Sequence, residues 1–216
     1  MPLLANKIIS PGTSLGMWEI TENSDSLKWE LQWGKDDIKA YQSLNDPKRS
    51  MQWLSSRVLL RKMMNTSEFI NLQIDEFGKP YLKDSKLKLS ISHSENLVGV
   101  LISEHECGLD IEHMKPERIE KLCTKYMTEN ELDNCNMKEF RMEKLYLYWS
   151  AKEALYKLYG KRKIDFKQNL KIYPFEWHPG GVIRARIEKS NYLNELVVSY
   201  DVINDYIVAY AVDMDK

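Results

Sequence analysis

The sequence predicts an α/β protein built of two comparable halves. Each half carries one long stretch with apolar residues at helical spacing. Each also carries several short runs that read as strands, bounded by turn signals. No low-complexity linker or short-period repeat interrupts the 216 residues, a length that predicts roughly one or two domains.

In chain order, Asp46-Pro47 opens a helix reaching about Met64, with Asp46 as N-cap and Pro47 at the first helical position. Met51, Leu54, Val58 and Leu59 recur along it at helical spacing. Strands are predicted over 87–92 and 97–103, and a third over 108–112 after the Glu-His-Glu-Cys-Gly turn. Thr128 and Glu131 form a Thr-x-x-Glu capping box. A long helix is expected from about Lys138 to Tyr159, closed by Gly160. Strand-like runs follow at 170–173, 182–187, 196–202 and 207–212, separated by Pro-Gly-Gly and Asn-Asp turns. The boundary falls near 104–108, giving subdomains 1–105 and 106–216.

The balance of 31 basic against 32 acidic residues gives no overall field to attract nucleic acid or membrane, so an anionic ligand must be held by a local cluster. Hydrophobic residues at 43% and charged residues at 29% favour a soluble globular protein over disorder. No apolar run approaches the roughly 20 residues of a membrane span, and MPLLANKIIS lacks the apolar core of a signal peptide. Cys107, Cys123 and Cys135 are odd in number and have no CxxC spacing, which suits a reducing cytoplasm.

Chemistry concentrates in a few segments. In Gly108-Leu109-Asp110-Ile111-Glu112, strand alternation puts Asp110 and Glu112 on one face and Leu109 and Ile111 on the other. Two adjacent carboxylates repel, and a hard divalent cation such as Mg²⁺ holds them together. The plain alternative is a solvated strand face. In WSAKEALYKLYG (149–160), Glu153 and Lys157 lie four apart on one helix face beside Trp149. They form either an ordinary i,i+4 pair or a third carboxylate with a phosphate-facing lysine. His93 ends a strand beside Ser92: buried in a core it would be a satisfied imidazole, and at an open strand end it suits phosphate, binding of which favours the protonated form. Gly78-Lys79-Pro80 is a turn that either presents a lysine or is only a hairpin corner, and Lys48, Arg49, Arg57, Arg61 and Lys62 crowd one helical region, where charges usually form the solvent face. A Cys–His pair, a G-x-S-x-G elbow and a Walker loop are all missing, which disfavours the usual acyl-transfer and nucleoside-triphosphatase chemistries.

Taken in order, GKP (78–80), SHS (92–94), GLDIE (108–112), YMTENE (126–131) and WSAKEALYK (149–157) resemble the signature of the 4'-phosphopantetheinyl transferases, from roughly Pro47 to Ile172. The length is similar to the two-subdomain, surfactin-synthetase-activating type, which is monomeric. The sequence departs at Leu89-Ser90, where the family often has Phe-Asn, and at Met127, where it has Phe. The resemblance implies a pseudo-twofold pair of α/β subdomains with coenzyme A in the cleft between them. It also implies Mg²⁺ on Asp110, Glu112 and Glu153, and Lys157 at the coenzyme A pyrophosphate. His93 is implied near the 3'-phosphate with Ser92, Lys79, Arg57 and Lys48. Glu131 matches an acidic family position, although its capping role accounts for it equally well.

The implied reaction moves 4'-phosphopantetheine to a serine of an acyl- or peptidyl-carrier protein, with Glu153 as base and Lys157 countering charge on the departing adenosine 3',5'-bisphosphate. Carrier proteins of this family are acidic, so Arg118, Lys121 and Lys125, three and four apart, are candidate contacts. The expected setting is cytoplasmic, with no nucleic acid or membrane partner. Two rivals share the same residues: a Mg²⁺-dependent hydrolase of a nucleotide diphosphate, and a paralogue that binds without transferring.

Overall fold

The computed structural model describes residues 3–136, 139–161 and 163–214, and only the backbone of 116–118. The chain divides into two compact units, Met1–Glu104 and His105–Lys216.

The first unit runs β1 (Leu3–Ser10), β2 (Thr13–Glu19), α1 (Ser24–Trp29), α2 (Lys35–Gln42), α3 (Pro47–Met64), β3 (Leu72–Ile74), β4 (Pro80–Leu82), β5 (Lys88–Ser94) and β6 (Leu97–Ser103). Its main sheet is antiparallel, in the order β1-β2-β6-β5. The apolar run of β6 has partners on both sides and is buried along its whole length. Helix α3 starts as its sequence dictates: Asp46 accepts from Lys48 N–H, and Pro47 costs nothing at a position whose N–H would find no acceptor within the helix. Its Leu54, Val58, Leu59 and Leu60 pack with Trp18, Leu89, Val98, Val100 and Ile102 to form one core.

The second unit follows as β7 (Cys107–His113), α4 (Pro116–Tyr126), α5 (Glu129–Asn134), α6 (Arg141–Tyr159), β8 (Leu170–Ile172), β9 (Gly180–Lys189), β10 (Tyr192–Ile203) and β11 (Tyr206–Val212). The antiparallel order β7-β11-β10-β9-β8 leaves β7 at an edge. Helix α6 packs against β7 and β11 and is buried on more than one face, including Tyr148, Ala151, Lys152, Ala154 and Leu155. It begins at Arg141 rather than Lys138, which lies outside the described residues, and Gly160 closes it in the left-handed region at φ 66°. The thiols of Cys107, Cys123 and Cys135 are free and buried. Among the described residues, no helix is long and apolar enough to cross a membrane.

The β1–β2 hairpin and the short α1 and α2 carry no signal in the sequence, and of the β3–β4 ribbon only the Gly78-Lys79 corner does. Strand β1 is mostly exposed, with Ile8 at 80%, and so lacks the alternation that marks a half-buried strand. Helix α2 has no fully buried residue and therefore shows no apolar stripe.

Candidate active site

Neither carboxylate of β7 is fully open to solvent: Asp110 is buried and Glu112 half-buried. Gly108, Asp110 and Glu112 share the strand face that lies against α6, and Asp110 is only 4% exposed. Gly108 makes this approach possible. A Cβ there would sit 1.9 Å from the Ala154 carbonyl oxygen and 2.6 Å from Leu158 N, distances no side chain tolerates. Strand and helix backbones therefore touch at Gly108, and the carboxylates beyond it are pressed toward α6.

On α6, Trp149, Glu153 and Lys157 follow one another at four-residue steps on a single stripe. Lys157 Nζ donates to Asp110 Oδ1 at 2.8 Å and to the Leu109 carbonyl at 2.9 Å. The Trp149 indole N–H donates to Glu112 Oε1 at 2.8 Å. Glu153 lies between them in the helix, and its carboxyl is pushed up to about 7, first by burial and then by the charges of Asp110 and Glu112, with Lys157 opposing. The structure thus brings Asp110, Glu112, Glu153 and Lys157 together. Among the described residues, however, no three acidic, histidine or cysteine side chains already converge in a metal-holding arrangement. One oxygen of Asp110 is engaged by Lys157 and one of Glu112 by Trp149.

Glu131 belongs elsewhere. It is buried, and its Oε2 accepts from Thr128 N–H, closing the predicted capping box, and from Lys152 Nζ at 2.8 Å. Its Oε1 accepts from Ile172 N–H at 3.1 Å. Lys152, fully buried, also donates to the carbonyls of Tyr126 and Phe166, at 2.7 and 3.0 Å. Burial lowers the Lys152 pKa, and Glu131 opposes that. Neither Lys152 nor Trp149 was picked out from sequence as functional. The available signal was a lysine inside an apolar helical motif, a position where a charge needs dedicated partners.

In the first unit, His93 is exposed at the end of β5 and Ser92 is buried beside it. The turn after it is tied to the start of α3: Lys48 pairs with the Glu95 carboxylate, and Gln52 donates to the Glu95 carbonyl at 2.9 Å. Lys48 is thereby brought to the turn that follows His93. Arg57 lies nine residues further along α3, about 13 Å along its axis. Its guanidinium stacks 3.4 Å from the Trp53 ring centroid and its Nε lies 3.8 Å from Asp37 Oδ1. Burial lowers its pKa to about 10, with Asp37 opposing. Lys79 sits at the corner joining β3 to β4, where Asp75 Oδ1 accepts from the N–H groups of Phe77 and Lys79, each at 2.8 Å, and Gly78 takes φ 92°. The predicted hairpin corner is therefore present. Lys121 and Lys125 are exposed on α4, while the side chain of Arg118 lies outside the described residues, as does Arg162.

Residues 106–211 match the family model of the 4'-phosphopantetheinyl transferase superfamily. The chain is 30% identical over 125 residues to 4'-phosphopantetheinyl transferase gsp of Aneurinibacillus migulanus, covering 56% of this chain and 52% of that one. It is also 30% identical over 95 residues to a 4'-phosphopantetheinyl transferase of Bacillus subtilis, covering 43% of this chain and 42% of that one. The chain spans about half the length of the curated relatives it matches.

Proposed function

Since this chain belongs to the 4'-phosphopantetheinyl transferase superfamily, we propose that it transfers the phosphopantetheine arm of coenzyme A to a serine of an acyl- or peptidyl-carrier protein. The observation that carries the reading is Glu153, a carboxyl pushed up to about 7 beside Asp110, Glu112 and Lys157. A carboxyl titrating near neutral pH is suited to take a proton during turnover.

The donor set fits a hard divalent cation: it is all oxygen, rich in negative charge and half withdrawn from water. Asp110, Glu112 and Glu153 would hold Mg²⁺, which when bound neutralises pyrophosphate charge and orients the reacting phosphate. The chain's own residues supply the rest. The carrier serine oxygen attacks the phosphorus bearing pantetheine, and Glu153 accepts the serine proton. The bond to the departing phosphate breaks, and adenosine 3',5'-bisphosphate leaves with the electron pair. Lys157, which donates to Asp110, would turn its ammonium toward that developing charge. Positioning and electrostatics suffice for such a transfer, and no covalent protein intermediate is required. Ser92, His93, Lys79 and Lys48 would contact the phosphates of coenzyme A. Arg57, held between Trp53 and Asp37, would contribute positive potential more than direct contact. Exposed Lys121 and Lys125 offer positive charge to an acidic carrier. The same reading takes the protein as a cytoplasmic monomer.

Intact-mass spectrometry of an apo carrier protein with this protein, coenzyme A and Mg²⁺ tests the proposal. The carrier should gain one phosphopantetheine, and neither an EDTA control nor an acceptor Ser→Ala carrier should. Adenosine 3',5'-bisphosphate released with no gain of carrier mass would replace the transferase with a hydrolase. No product from any of several carriers would leave a binding protein.

A further inference from the structure

Trp149 combines two environments that packing alone does not require. Its ring sits between Tyr126, edge-on at 5.0 Å between centroids, and Phe166, tilted at 5.8 Å. Its N–H crosses from α6 to the edge strand β7 and ends on Glu112 Oε1 at 2.8 Å. The residues that flank the ring are themselves fixed by the next turn of the same helix. Lys152 Nζ is held by the Tyr126 carbonyl, the Phe166 carbonyl and Glu131. Tyr126 is fixed again where its hydroxyl donates to the Leu145 carbonyl at 3.0 Å. Two aromatic walls thus hold Trp149 in one orientation, and a buried ion pair holds the walls.

We propose that Trp149 is a positioning residue for the acidic site, its indole N–H fixing the Glu112 carboxylate for a divalent cation and the Lys152–Glu131 pair fixing Trp149. The inference rests on the metal reading of Asp110, Glu112 and Glu153 given above. Its physical basis is general. A carboxylate on a strand turns about its own side-chain bonds, and locking one oxygen removes that freedom before the cation arrives. Phenylalanine would keep an aromatic ring between Tyr126 and Phe166, though a smaller one, and would take this hydrogen bond from Glu112. The indole nitrogen is therefore the part of Trp149 that packing does not explain.

Trp149→Phe keeps an aromatic ring in place and removes the donor together with part of the indole's volume. The experiment titrates Mn²⁺ into the full chain with excess coenzyme A, reading free Mn²⁺ by electron paramagnetic resonance and subtracting a coenzyme-only control. Relative to the unchanged chain, Trp149→Phe should bind Mn²⁺ roughly 10-fold more weakly, in line with the loss of other outer-shell partners. Turnover should recover at saturating Mn²⁺, a split that general loosening of the fold would not produce. Mn²⁺ binding unaltered in Trp149→Phe but weakened in Glu112→Gln would overturn the positioning role and spare the metal reading. No Mn²⁺ binding by the unaltered chain would overturn both. Should Trp149→Phe fail to fold, ¹⁵N-tryptophan labelling of the unaltered protein decides instead. The indole resonance displaced by Glu112→Ala must shift when Mg²⁺ is added, and a resonance that stays in place rejects the inference.

Discussion

Raising the pH from 5 to 8 strips a proton from Glu153 that the folded, metal-free chain favours keeping. In the unfolded chain this carboxyl titrates at its ordinary 4.5, and in the folded chain at about 7. Below 4.5 both states hold the proton, and the group contributes nothing to the difference between them. Between the two values the folded state binds more protons, so stability falls as pH rises. Above 7 the loss is complete. At about 1.36 kcal/mol for each pH unit between the two values, it amounts to roughly 3 kcal/mol. Glu153→Gln carries no charge at any pH and escapes the loss. Urea unfolding of both proteins in EDTA, from pH 5 to pH 8, isolates the effect, because the other titrating groups are common to both. The variant should match the unaltered chain within about 1 kcal/mol near pH 5 and exceed it by roughly 3 kcal/mol at pH 8. A stability difference that does not vary with pH would refute the burial of this carboxyl beside Asp110 and Glu112, and with it the reason for giving Glu153 the proton.

Other expectations follow from the same packing. Mg²⁺ should raise the unfolding temperature more at pH 8 than at pH 5, since a cation relieves only a charge that is present; thermal scans at both pH values check this. Lys152→Met should destabilise the protein by about 3–5 kcal/mol, because it leaves Glu131 charged and buried, and adding Glu131→Gln, which removes the charge but keeps an acceptor for the Thr128 or the Ile172 N–H group, should restore part of that in chemical denaturation. Gly108→Ala should cost at least about 1–3 kcal/mol and lower turnover together with stability, because its Cβ would drive β7 away from Ala154 and Leu158. His93→Ala should raise KM for coenzyme A several-fold and leave the unfolding midpoint nearly unchanged, as suits an exposed side chain at a strand end. A shifted midpoint with unchanged KM would make His93 structural.

Local signals were legible in the sequence wherever one residue type settles a conformation. Asp46-Pro47 caps α3, Thr128 and Glu131 cap α5, and Gly160 ends α6, because each satisfies a backbone requirement with its own side chain or lack of one. The strand alternation that put Asp110 and Glu112 on one face was also legible, but what that face meets was not. The sequence allowed a solvated face, and the structure turns it toward α6 through a contact only glycine permits. Trp149 and Lys152 were given no role of their own for a related reason. Their partners are carboxylates 37 and 21 residues away and two backbone carbonyls, and neither spacing nor residue type records a carbonyl. The first forty residues stayed illegible because exposed edge strands and short polar helices carry little periodic pattern.

Gly108 and the raised Glu153 carboxyl are two results of one packing arrangement. With any side chain at 108, β7 would stand away from α6, water would enter between them, and three carboxylates could ionise with little mutual penalty. Glycine lets the backbones touch, excludes that water and makes the penalty large. The folded chain meets part of it with Lys157 on Asp110 and leaves the remainder on Glu153 as a retained proton. A cation bound there would take over the work of both, releasing the proton and freeing Lys157 from Asp110. On this argument the site's instability without metal and its capacity to move a proton have one origin. A Gly108→Ala protein that still folds should therefore lose the pH-dependent stability difference of Glu153→Gln along with its turnover. If the difference persists in the Gly108→Ala background, the close backbone contact is not what raises Glu153.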